Sequence, residues 1–247
     1  MTVAILVRRA QARPGQHDDD QVLGPCERGA LAAGLALAHA RGVDAVAIAV
    51  GPARREDRVL AMALRAGCAR GVRITGEATD DLDYLGLAEI LAAAVRKVGA
   101  TIAVCGDVSV DERVGAVAPA LAELLALPHV TGVRAARSID GMIEVEHAAA
   151  SGVLTLRLAP PLVIAMVAPP VRGRDEAAPA PAAATQSLLS YELEELGLDP
   201  RRLAPRRALA GRLRPLRGAR QATILGSASE LVARLRDEHV LDREDAS

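Results

Sequence analysis

One stretch of the chain gathers the residues best suited to binding chemistry. From Ala100 to Pro128 it reads ATIAVCGDVSVDERVGAVAPALAELLALP. The short apolar run Thr101 to Val104, bounded by Gly99 and Gly106, predicts a buried strand. Ser109-Val110-Asp111-Glu112 then fits the Ser-x-x-Glu capping box, in which the serine oxygen accepts from an early helical N–H and the glutamate reaches back to the cap. Val114, Val117, Leu121, Leu124 and Leu125 follow at the spacing of one buried helical face. A strand passing through a small-residue turn into a capped helix aims unpaired N–H groups at one point, where the helix dipole favours an anion such as a phosphate. An ordinary strand–helix junction with no ligand uses the same residues, so this stretch alone leaves both readings open.

Other chemistry is thin. No serine, histidine or carboxylate falls in a nucleophile–base arrangement, so no catalytic residue is assigned. The glycines form neither GxGxxG nor GxxxxGK[ST], which removes the dinucleotide fingerprint and the P-loop. Cys26, Cys68 and Cys105 are odd in number, widely separated and set in apolar surroundings, which reads as packing rather than a disulfide framework or a metal site. His39 sits near the end of a helical pattern, where it complements the dipole or packs.

The elements that must position the central stretch alternate. Strands are expected at residues 2–7, 43–50, 69–75 and 100–105, and helices at 25–40, 54–66 and 80–98, with one more following Ser109. Strand–helix alternation of this kind predicts a parallel sheet wrapped by helices. The pattern then changes. Three short strand candidates at 130–139, 142–147 and 153–158 include an Asp140-Gly141 hairpin signal, and a fully apolar strand follows at 162–167. Residues 168–184 are rich in Pro and Ala and read as an exposed segment. Residues 187–196 read as a short helix. Residues 201–220 form a basic tract interrupted by Pro205 and Pro215, hence an extended arm. A last strand is expected at 222–225, with a capping box, Ser227 to Glu230, opening a helix to His239. The expected division is therefore a nucleotide-binding-like α/β domain over residues 1–186 and a partner-binding arm over 187–247.

Composition bounds the function. The net charge of −1 argues against a chain-wide nucleic-acid footprint, and the basic tract lacks the interleaved aromatics of a single-strand binder. No uninterrupted apolar run is long enough to span a bilayer. Arg8-Arg9 follow the first apolar run instead of preceding it, the reverse of a signal peptide, so a cytoplasmic protein is expected. Tyr84 and Tyr191 are the only aromatic residues, and the core must be built from Ala, Val, Leu and Ile.

In order and spacing, the segments resemble the beta subunit of electron-transfer flavoproteins over nearly the whole chain. The resemblance is carried by Cys26-Glu27 opening the first helix, AIAVGP from Ala47 to Pro52, and AMALRAGC from Ala61 to Cys68. It continues through Cys105-Gly106-Asp107, LAELLALP from Leu121 to Pro128, Ile139-Asp140-Gly141, and SELVARL from Ser229 to Leu235. It implies a Rossmann-like, mostly parallel sheet of the adenine-nucleotide-binding type, with an antiparallel hairpin excursion and an extended C-terminal arm.

The same resemblance implies a non-enzymatic electron carrier. It would pair with an alpha subunit that holds most of the FAD, accept electrons from a flavoprotein dehydrogenase and pass them to a quinone reductase or other acceptor. AMP, or a second FAD, would sit in this chain. Carried over by position, the nucleotide would lie near Leu6, Leu23, Gly24, Pro25, Cys26, Val50, Gly106, Asp107, Val108, Ser109, Asp111, Arg113, Val114, Gly115, Ala116 and Val117. Where the family has Asp-Asp-Asp-x-Asn-Gln-Thr-Gly, this chain has DERVGAVA from Asp111 to Ala118, leaving backbone N–H groups and Arg113 to hold a phosphate. The family's dehydrogenase-docking run is replaced by the Ala/Pro segment and the acidic-ended SLLSYE of residues 187–192. The alternative reading is a stand-alone adenine-nucleotide-binding α/β protein of the stress-protein or PP-loop kind.

Overall fold

The computed structural model describes residues 1–9, 23–80, 82–109, 114–149, 152–169, 187–203 and 224–238. The chain divides into two units, Met1–Ala208 and Leu209–Ser247. Residues 187–203, which the sequence places with the arm, lie in the first unit.

The first unit is built on β1 (Thr2–Leu6), all five of whose residues are buried. A strand covered on both faces reads as a continuous apolar run, and TVAIL is one. It is followed by α1 (Pro25–Arg41), β2 (Asp44–Val50), α2 (Ala53–Ala66), β3 (Arg70–Thr75), α3 (Tyr84–Lys97), β4 (Ala100–Gly106) and α4 (Val117–Leu125). Then come β5 (His129–Ile139), β6 (Met142–Ala149), β7 (Gly152–Leu158), β8 (Leu162–Met166) and β9 (Ser187–Glu192). Among the described residues the nine strands form one sheet in the order β7-β6-β5-β8-β4-β1-β2-β3-β9. Only β6 runs against the rest.

Alternate residues of β1 divide the core. Val3 and Ile5 pack with Ala30, Leu31 and Leu37 of α1 and Val59 and Leu60 of α2. Ala4 and Leu6 pack with Ile90, Leu91 and Val95 of α3 and Leu121 of α4. Helices α1 and α2 thus cover one face, and α3 and α4 the other. Without Phe or Trp, the core relies on many aliphatic side chains, each stabilising by about 1.5–3 kcal/mol when fully buried.

From β1 the chain steps outward through β2 to β3, then returns to lay β4 on β1's other side. Such a reversal sends successive crossover helices to opposite faces and leaves a crevice at the carboxyl ends of the two central strands. The sheet's far wing is the hairpin. Asp140 and Gly141, at φ 52° and 78°, join β5 to β6, as a two-residue turn with both central residues left-handed requires.

Three expectations are corrected. The helix after β4 does not begin at the Ser109 box: α4 starts at Val117, behind an Ala116 cap with no side-chain hydrogen bond. Pro119 explains the shift. It lacks an N–H and belongs in a helix's first turn, whereas a helix from Ser109 would carry it deep inside. Residues 187–192 are strand, not helix, and only Leu193–Leu196 form a 3-10 turn. Strand β9 pairs in parallel with β3 from Arg70↔Ser187 to Thr75↔Glu192, because the outer edge of β3 offers a row of backbone groups that local helix propensity cannot outweigh. Arg73 holds the junction by donating to both Asp57 and Ser190 Oγ. Ile224 and Leu225, finally, are not in a strand, and Ile224 is almost fully exposed; residues 222–223 lie outside the described residues.

In the second unit α5 (Ala228–Asp237) buries none of its side chains. Ser227 caps it, its Oγ accepting from Glu230 N at 3.2 Å, while the Glu230 carboxylate accepts from Gly226 N. Among the described residues no helix is long and apolar enough to cross a membrane.

Candidate functional site

At the carboxyl ends of β1, β2 and β4, where the strand order reverses, lies a cleft of about 90 Å³ that opens to solvent. Its floor is strand ends: Leu6 of β1 and Val7 just after it, Val50 from β2, Cys105 and Gly106 from β4. One wall is the loop leaving β4, represented by Asp107, Ser109, Val114 and Val117. The opposite wall is the start of α3, with Leu82, Asp83, Tyr84, Leu87 and Leu91. Arg8 and Glu27 complete the lining.

The loop wall is pinned at its root. Asp107 N donates to Met166 O at 2.9 Å, and Asp107 Oδ1 accepts from Gly132 N at 3.0 Å. The loop therefore springs from three strands at once, β4, β8 and β5. Gly106 is a close approach: a Cβ there would lie 3.0 Å from Cys26 Cβ and 3.3 Å from Glu27 N. The first turn of α1 is thereby brought against the end of β4. Gly115 turns back tightly, so that a Cβ there would stand 3.3 Å from the Asp107 carbonyl oxygen, and α4 then starts with neither a side-chain cap nor an acidic residue in its first turn. Its leading N–H groups keep their attraction for an anion.

The α3 wall is held differently. Asp83 caps the helix, its Oδ1 accepting from Gly86 N at 2.8 Å. Gly86 admits the backbone of Leu203, whose carbonyl oxygen would stand 2.9 Å from any Cβ placed there. The first turn of α3 is thus clamped from inside by its cap and from outside by a buried Leu203.

Cys105 is buried and donates to Ile164 O at 3.7 Å. Burial first, then the neighbouring Asp107 and Glu27 charges, push its thiol up to about 12. A protonated buried thiol is neither a nucleophile nor a metal ligand at neutral pH. Among the described residues no cluster of His, Cys, Asp and Glu is placed to hold a metal ion.

Seven residues singled out in the sequence line the cleft: Leu6, Val50, Gly106, Asp107, Ser109, Val114 and Val117. Others stand beside it. Leu23 is buried and bridged to Arg9, Gly24 and Pro25 open α1, and Cys26 packs under Gly106. Val108, Gly115 and Ala116 belong to the loop without facing the space. Asp111 and Arg113 lie outside the described residues. The sequence missed the α3 wall entirely, together with Arg8 and Glu27. Tyr84 carried a usable signal, as one of two rings in the chain placed where a helix begins after a parallel strand.

A family profile described as the electron transfer flavoprotein domain matches residues 15–194. Protein FixA of Azorhizobium caulinodans is 32% identical over 154 residues, 59% of this chain and 54% of that protein. Protein FixA of Bradyrhizobium diazoefficiens is 30% identical over 154 residues, 59% of this chain and 53% of the relative. The electron transfer flavoprotein subunit beta of Clostridium acetobutylicum is 25% identical over 146 residues, 59% of this chain and 56% of its own length. The matched region spans about half the length of these relatives.

Proposed function

This chain belongs to the electron transfer flavoprotein family, on its beta-subunit side, and from that premise we propose that it is the non-enzymatic half of a heterodimeric electron carrier. In this reading an alpha subunit holds most of the working FAD, a flavoprotein dehydrogenase supplies electrons, and a quinone reductase or other acceptor receives them, in the cytoplasm. The cleft between β1 and β4 takes an adenine nucleotide, either AMP or the adenylate part of a second FAD.

The observation that carries the reading is the place of the cleft, at the reversal of a parallel sheet and between two helix starts. Open α/β sheets bind nucleotides at that point. The lining fits the group. Arg8, the backbone of the loop after β4 and the uncapped start of α4 offer positive potential to a phosphate, and the α3 wall offers apolar surface to a base. Bound FAD supplies reversible one- and two-electron transfer; this chain's residues bind, orient and exclude water.

Charge argues for few phosphates. Glu27, Asp83 and Asp107 face the cleft against Arg8. Asp83 and Asp107 are engaged by backbone N–H groups, but their charges remain, and each added phosphate raises the repulsion. A triphosphate, which the stand-alone alternative would hydrolyse, suits this lining less than AMP.

Co-production with the alpha partner tests the proposal. The expected product is a yellow heterodimer that releases stoichiometric AMP, or FAD beyond the alpha subunit's share, when denatured and chromatographed. A colourless monomer that turns over ATP overturns it in favour of the stand-alone reading.

A further inference from the structure

We infer that Tyr84 is the platform on which the base of the bound nucleotide stacks; this rests on the nucleotide reading of the cleft. The chain has no Trp, no Phe and two Tyr in 247 residues, and of the two only Tyr191 is packed against a core cluster. Tyr84 does not serve that core: neither of the two buried clusters includes it. It is half-buried, at the first position of α3, on the wall of the cleft. Leu87 and Leu91 follow at i+3 and i+7, so all three share one helical stripe, and all three line the same space. A flat ring continued by aliphatic side chains makes a slot for a planar heteroaromatic group.

The opposite wall has the other character. Its described part, residues 107–109 and 114–117, offers backbone N–H groups and a helix start whose Ala116 cap makes no side-chain hydrogen bond, with Arg8 also lining the cleft. The two walls therefore sort the two ends of a nucleotide, base towards α3 and phosphate towards the loop after β4. The turn that carries the ring is held before anything binds, by the Asp83 cap and the Gly86–Leu203 contact. Such preorganisation reduces the ordering cost of binding. Stacking on aromatic side chains tolerates any base, so the ring supplies affinity for the base and the rim of the slot selects which one.

The composition makes the test direct. In the full chain carrying Tyr191→Phe, Tyr84 is the sole fluorophore, unobscured by tryptophan. AMP and adenosine are titrated into this variant, dialysed free of nucleotide, with emission and equilibrium dialysis read together. Both ligands are expected to quench Tyr84. Tyr84→Leu should weaken both by about tenfold or more, as loss of one stacked base implies, while Tyr84→Phe retains them. Arg8→Ala should weaken AMP and spare adenosine, separating the phosphate end from the base end. Unchanged affinity in Tyr84→Leu, or emission unmoved at saturating AMP, overturns the platform while leaving the nucleotide site standing. Dialysis that finds neither AMP, adenosine nor FAD bound removes the site itself, and the platform with it. Should Tyr84→Leu fail to fold, the quenching and the Tyr84→Phe comparison still decide.

Discussion

The wall of the cleft after β4 and the wall at the start of α3 line one space and are made by opposite means. The first works through backbone: Gly106 lets α1 close in, Gly115 turns back towards Asp107, and α4 begins uncapped at Ala116. The second works through side chains: Asp83 satisfies the helix start, and Tyr84, Leu87 and Leu91 present carbon. A helix start left unsatisfied attracts an anion, and one satisfied by its own carboxylate does not. Two helix starts at one cleft therefore need not do the same work.

Breaking the backbone-built wall should have the largest effect. Gly106→Val places carbon where Cys26 and Glu27 already stand. It should cost about 1–3 kcal/mol of stability and abolish nucleotide retention, both readable from a urea midpoint shift and the nucleotide content of the purified protein. Retention at the wild-type level would mean that the approach of α1 does not shape the site. On the other wall, Asp83→Ala should cost about 1 kcal/mol through the lost cap, with Asp83→Asn largely restoring it. Thermal unfolding of the pair separates capping from charge.

The buried thiols, Cys105 in the floor between the walls and Cys68 outside the cleft lining, should respond least near neutrality. Burial pushes the thiols of Cys68 and Cys105 up to about 12 from an ordinary 9.0. Stability held by these neutral thiols is whole below about pH 9 and drains away as pH rises towards about 12. At pH 8 a thiol reagent should find none of the three buried cysteines in the native chain and all three after denaturation. Early reaction at Cys105 would show the cleft floor opening.

How far each wall was legible follows from its construction. The loop wall was visible as a place, because Gly106, Asp107 and Ser109 after an apolar run are local signals. Its helix start was not, because Pro119 decides the first turn and Ser109 only nominates one. The α3 wall was invisible, since Tyr84, Leu87 and Leu91 show the same spacing whether they face a core or a ligand space. The parallel centre was legible because β1, β2, β4 and β8 are nearly continuous apolar runs and strand alternates with helix through β4. Strand β9 was not, because its partner β3 lies far upstream and SLLSYE alternates too weakly to declare itself.

That same ninth strand sets a timetable for synthesis. As the ribosome delivers the chain in order, the outer rim of β3 stays bare until Ser187 has emerged, and the Leu203 brace against Gly86 arrives later still. A nascent chain halted before residue 187 would expose a naked strand to its neighbours, the template for edge-to-edge aggregation. Strand β9 thus joins the sheet only after its eight other strands have been made.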